Sequence, residues 1–121
     1  MRYRYYNANP RQRKVNDCTV RAISLATNKT WEETFLDLST AALEEKIMPD
    51  DVHYIDGYLE KTFDKIFLPR KITVEEFVNT HSHGIYLITM RGHITCCIDG
   101  CIYDTFNPRD FFVWDAYEIK R

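Results

Sequence analysis

The sequence predicts an α+β domain in which helices come first and an antiparallel sheet comes last. Three observations carry this. Apolar residues recur at helical spacing through the first two-thirds, behind two Thr-x-x-Glu starts, Thr30 to Glu33 and Thr73 to Glu76. From Ile85 onward the pattern changes to short apolar runs separated by turn residues. Asp99-Gly100 between two of those runs is a strong hairpin signal, because both residues tolerate positive φ.

Arg2-Tyr3-Arg4-Tyr5 alternates with period two and predicts a short strand with its tyrosines inward. Asn7 to Asp17 is polar, contains Pro10 and reads as a loop. Cys18 to Thr27 is apolar on nearly all sides, which predicts a buried central helix stopping at Asn28. Trp31, Phe35, Leu38 and Ala42 then recur at helical spacing, so a second helix runs to about Lys46 with this stripe in the core. Met48-Pro49-Asp50 breaks the chain. Val52, Ile55, Leu59 and Phe63 mark a third helix, weakened by Gly57. Lys65 to Leu68 reads as a strand closed by Pro69, and the helix opened by Thr73 ends between His81 and Gly84. The sheet then comprises Ile85–Met90, His93–Ile98, Cys101–Phe106 and Phe112–Ile119.

At 121 residues the chain is read as one domain, residues 1–121, long enough to bury a core without staples. Its net charge of −2 is uneven: residues 1–14 hold five bases and no acid, and all 18 acids lie beyond them. The basic end suits an acidic partner or the acidic body of the same chain. The cysteines, at 18, 96, 97 and 101, make a poor disulfide framework, since neighbours on a strand point to opposite faces. The most apolar region is broken by Arg91-Gly92-His93, so no membrane span is expected. With no signal peptide visible, a reducing cytoplasm is the expected setting.

The residues that carry chemistry are Cys18, His93 and Asp104. Cys18 stands in Asn16-Asp17-Cys18-Thr19-Val20-Arg21-Ala22, where a polar loop becomes an apolar helix. Unpaired N–H groups and a partial positive charge at a helix start favour a thiolate there. An imidazolium beside it lowers the thiol pKa further, to roughly 3.5–7.5 in reactive cases. If Asp99-Gly100 is a two-residue turn, Ile98 faces Cys101, Thr95 faces Asp104, and His93 and Asp104 become diagonal neighbours on one face. The division of labour follows: Cys18 attacks a carbonyl, His93 moves the proton, and Asp104 fixes the ring. The Cys18 backbone N–H is one oxyanion donor.

With these residues the chain resembles the papain-like cysteine peptidase superfamily, in a small version similar to bacteriocin-processing peptidase domains. That superfamily places a cysteine at the start of a central helix and a histidine, then Asn or Asp, on a later antiparallel sheet. Gly92-His93 with Asp99-Gly100-Cys101-Ile102-Tyr103-Asp104 looks like its histidine hairpin. The resemblance implies an oxyanion-hole glutamine six residues before the cysteine, a role that falls on Gln12, with Asn16 the local alternative. It implies a cysteine hydrolase, most plausibly a peptidase acting on a protein or peptide, with no cofactor. Small versions of this kind look similar to proteins of bacteriophages and mobile elements. A papain-like binding protein without turnover, and a deamidase or transglutaminase using the same triad, are the alternatives.

Other readings compete at particular residues. Cys18 taken alone reads more readily as a small buried hydrophobe than as a nucleophile, and Asp104 has a second reading as a cap for the Asn107-Pro108 turn. His81-Ser82-His83 resembles a chelate, but Cys96-Cys97 has the wrong spacing for a structural zinc site, so no metal is expected. A cationic helix end before Gly84 explains the two histidines better. The Arg/Tyr start allows single-strand nucleic-acid binding, yet the acidic body of the chain argues against it.

Overall fold

Local signals place every helix. The computed structural model describes residues 1–121, an α+β fold of four helices and one six-stranded mixed sheet. Helix α1 (Cys18–Thr27) closes on Asn28, whose φ of 57° is the left-handed stop that a short polar side chain tolerates. Helix α2 (Trp31–Glu45) opens on a reciprocal capping box. The Glu33 N–H donates to the Thr30 hydroxyl and the Thr30 N–H to the Glu33 carboxylate, both at 3.0 Å. Helix α3 (Val52–Thr62) is capped by Asp51, and α4 (Val74–Thr80) by the second box, Thr73 with Glu76.

The strands, in chain order, are β1 (Arg2–Tyr5), β2 (Asp64–Lys65), β3 (Ile85–Met90), β4 (His93–Ile98), β5 (Cys101–Asp104) and β6 (Asp115–Ile119). Their order across the sheet is β1-β5-β4-β3-β6-β2. The hairpin register is the expected one, with Ile98 opposite Cys101, Cys97 opposite Ile102 and Cys96 opposite Tyr103. Asp99 and Gly100 take the positive φ values, 48° and 78°, that such a tight turn requires.

The sheet departs from the sequence reading at several points, and two strands are shorter than expected: β5 ends at Asp104 instead of Phe106, and β6 begins at Asp115 instead of Phe112. The sheet is mixed, because β1 lies parallel to β5 and extends an otherwise antiparallel set. Only Tyr3 turns toward the core, while Tyr5 is 56% exposed at the sheet edge. The strand expected over Lys65–Leu68 is the two-residue β2, Asp64–Lys65, beyond which only the Ile66 N–H continues the pairing, donating to the Ala116 carbonyl at 2.8 Å. Phe67, just beyond it, is exposed.

Side-chain alternation along the sheet builds two cores. Leu87 and Cys96 face α1, α2 and α3, joining Ala22, Ala26, Leu38 and Leu59. Ile88, Cys97 and Ile102 face the other way, against Phe77 and Val78 of α4. Phe77 is fully buried, stacked on His81 and edge-on to Tyr86. Phe77→Ala is expected to destabilise the fold by about 3–5 kcal/mol. Urea denaturation monitored by circular dichroism measures this, and an unchanged midpoint would contradict the packing. On the opposite face α1 packs directly on β4, which sets the amino end of that helix beside the first residue of the strand. No helix is long and apolar enough to cross a membrane.

Candidate active site

Cys18 is the first residue of α1 and His93 the first of β4. A helix start keeps its N–H groups free of intrahelical partners, so the Cys18 thiol and backbone N–H share one electropositive corner. His93 projects from the hairpin toward that corner and hydrogen-bonds Asp104, the last residue of β5, with Nε2 to Oδ2 at 2.7 Å. The diagonal register of the hairpin thus brings the two side chains onto one face. Cys18 is the imidazole's second partner, and each group shifts the other.

The titration behaviour follows from these contacts. Burial favours a neutral Cys18, but the hydrogen bond and charge of His93 outweigh it and hold the thiol below its ordinary value. Burial also opposes charge on His93, and the hydrogen bonds to Asp104 and Cys18 nevertheless push its pKa up to about 9. Asp104 is driven upward by burial but held below the ordinary carboxylate range by His93 and by the Thr105 N–H at 2.7 Å. These directions together favour the charged form of each group: a thiolate, an imidazolium and a carboxylate in sequence. The other thiols are buried, and burial pushes Cys97 up to about 11 and Cys96 further still.

No family model, curated protein or solved structure matches this chain. Its site is therefore read from its own geometry.

Two charged residues that the sequence analysis left unassigned hold the triad from behind. Arg21 donates through Nε to Asp17 at 2.8 Å and through a terminal nitrogen to Asp104 Oδ1 at 3.4 Å and to Thr105 Oγ1 at 3.3 Å. It ties up Asp104 Oδ1, so that Oδ2 serves His93. Asp17, 7% exposed, also accepts from the Asn9 amide at 3.1 Å and the Trp31 indole N–H at 3.0 Å. The available signal was the i, i+4 spacing of Asp17 and Arg21 on the helix that carries Cys18.

A cavity of about 470 Å³ opens over Cys18 and His93. Trp31 and Phe35, expected in the core, instead stack on each other along its wall, with ring centroids 5.3 Å apart and planes 12° from parallel. The helical spacing holds, but the stripe divides: Leu38 and Ala42 are buried in the core, while Trp31 and Phe35 at the amino end of α2 wall the cavity. Trp114 also lines it.

Of the two oxyanion candidates, Asn16 lines the cavity beside Cys18 and Gln12 does not. Gln12 sits at φ 54°, and its side-chain nitrogen donates to the carbonyls of Asn7 and Asn9, both at 3.0 Å. Both N–H bonds of that amide are thereby committed to the loop, so the glutamine role expected for Gln12 is not available in this arrangement. The histidine pair lies elsewhere. His81 caps α4 with its ring on the Phe77 carbonyl at 2.9 Å, and no group of three or more potential metal ligands assembles in the chain.

Proposed function

We propose that this protein is a papain-like thiol hydrolase that cleaves a peptide or protein through an acyl-enzyme on Cys18. The observation that carries the reading is the run Cys18, His93, Asp104, with the first two lining an apolar cavity, the thiol held low and the imidazole high. The order of elements supports the papain-like assignment: a cysteine begins the central helix, and that helix packs on the hairpin carrying the histidine and the acid.

The chemistry divides among the three residues. The Cys18 thiolate attacks the carbonyl carbon, forming a C–S bond and an oxyanion that the Cys18 N–H and Asn16 amide are positioned to receive. The C–N bond then breaks as the His93 imidazolium gives its proton to the departing amine. Water attacks the resulting thioester while neutral His93 takes the water's proton. The acid product leaves, the C–S bond breaks, and the proton on His93 restores the resting pair. Asp104 keeps the ring oriented throughout and stabilises its charged form.

Iodoacetamide at pH 6 tests the ion pair directly. Cys18 should be carboxamidomethylated well before Cys96, Cys97 and Cys101, because only its thiol is both accessible and shifted downward. His93→Ala should slow that labelling, since burial alone would then raise the thiol pKa. Peptide mapping by mass spectrometry reads both outcomes, and equal labelling of all four thiols in the native protein would remove the hydrolase reading.

A further inference from the structure

The cavity over Cys18 has a composition that selects among peptides. Its walls are aromatic and aliphatic, and include the stacked pair Trp31 and Phe35 as well as Trp114. Besides Asp17, whose charge is taken by Arg21, it is lined by two further carboxylates, Asp50 and Asp56, both exposed toward solvent. No lysine or arginine lines it. Of the two bases that act on Asp56, His53 and Lys65, the lysine is already committed to Glu60 at 2.9 Å and Asp115 at 3.3 Å. Arg11, Arg13 and Lys14 stand on the exposed preceding loop and do not line the cavity.

We infer that this cavity binds the side chain of a lysine or arginine in the peptide, its apolar stem along the Trp31, Phe35 and Trp114 walls and its cationic end toward Asp50 and Asp56. Three features of such a side chain match three features of the cavity. Its methylene stem covers aromatic surface while its head stays hydrated. Its charge is attracted to the faces of indole and phenyl rings. Its head meets Asp50 and Asp56, neither of which is held in an ion pair within the chain. A glutamate side chain meets repulsion at the same place, and an uncharged stem forgoes the charged contacts.

The inference takes from the hydrolase reading only the expectation that the occupant is a peptide, and it is tested without turnover. The chain has two tryptophans and both line the cavity, so intrinsic fluorescence reports its occupancy. The Cys18→Ala variant is titrated with blocked tripeptides that differ at one central residue: lysine, norleucine or glutamate. The lysine peptide should bind at least tenfold more tightly than the norleucine peptide, with the glutamate peptide weakest, and the lysine advantage should shrink as salt is raised. The Asp50→Asn/Asp56→Asn double variant should bring lysine and norleucine to parity while leaving norleucine binding unchanged. Equal affinity for lysine and norleucine in the parent, or a lysine preference that survives the double variant, overturns the inference. Iodoacetamide labelling of Cys18 in the otherwise native protein is the separate test of the hydrolase reading, so either can fail alone.

Discussion

Cys18→Ala and His93→Ala are each expected to reduce peptide hydrolysis to the same floor, a loss on the order of 10⁵-fold or more in kcat, with the double variant no worse. The reason is that the thiolate exists because the imidazolium does, and the imidazolium is stabilised in turn by the thiolate. Removing either removes the nucleophile in its active form. Asp104→Asn keeps the shape but not the charge, and a loss on the order of 10⁴-fold is expected by comparison with other triads. The pH profile follows from the same contacts. Activity should persist on the acid side of an ordinary thiol, because the Cys18 pKa is lowered. It should fall on the alkaline side near pH 9, where His93 loses the proton it must give to the departing amine. In Asp104→Asn that alkaline limb should move to lower pH, because the partner holding the proton on His93 has lost its charge. Initial rates on a fluorogenic peptide across pH 5–10 measure all of this, and an alkaline limb indifferent to Asp104→Asn would break the assignment.

Arg21→Met should be the most destabilising change at the site, costing about 3–5 kcal/mol at pH 7. Asp17 and Asp104 are 7% and 3% exposed, and Arg21 is the one guanidinium that touches both. Without it two carboxylates stay buried with one positive partner, His93, between them. Arg21→Lys keeps the charge but reaches only one carboxylate at a time, so partial rescue is expected. Urea denaturation at pH 7 decides this, and a loss under 1 kcal/mol would mean that Arg21 bridges nothing of consequence.

The linked stability of the pair has a definite sign. A histidine raised from its ordinary 6.5 to about 9 in the folded state contributes stability that is full below its unfolded pKa. That contribution disappears as pH rises through about 9. Asp104, held low, contributes above its ordinary value and loses that contribution as pH falls through the lowered one. The middle of the pH range therefore favours both the fold and the charged triad.

What could be read from residues alone were the features written in short stretches of chain. The two Thr/Glu capping boxes, the Asn28 stop and the Asp99-Gly100 turn each act through backbone groups within a few positions. The turn, by fixing the register, also put His93 and Asp104 on one face. Packing decided the rest. Whether Trp31 and Phe35 enter the core or wall a cavity depends on what stands opposite them, and no local spacing records that. Nor does sequence order reveal that β1 returns to pair in parallel with β5, or that the Gln12 amide is spent on its own loop. The same holds for Arg21, whose second carboxylate lies 83 residues away. Backbone hydrogen bonding within a turn is a property of neighbours in the chain. The environment of a side chain belongs to neighbours in space, and only the folded molecule assigns those.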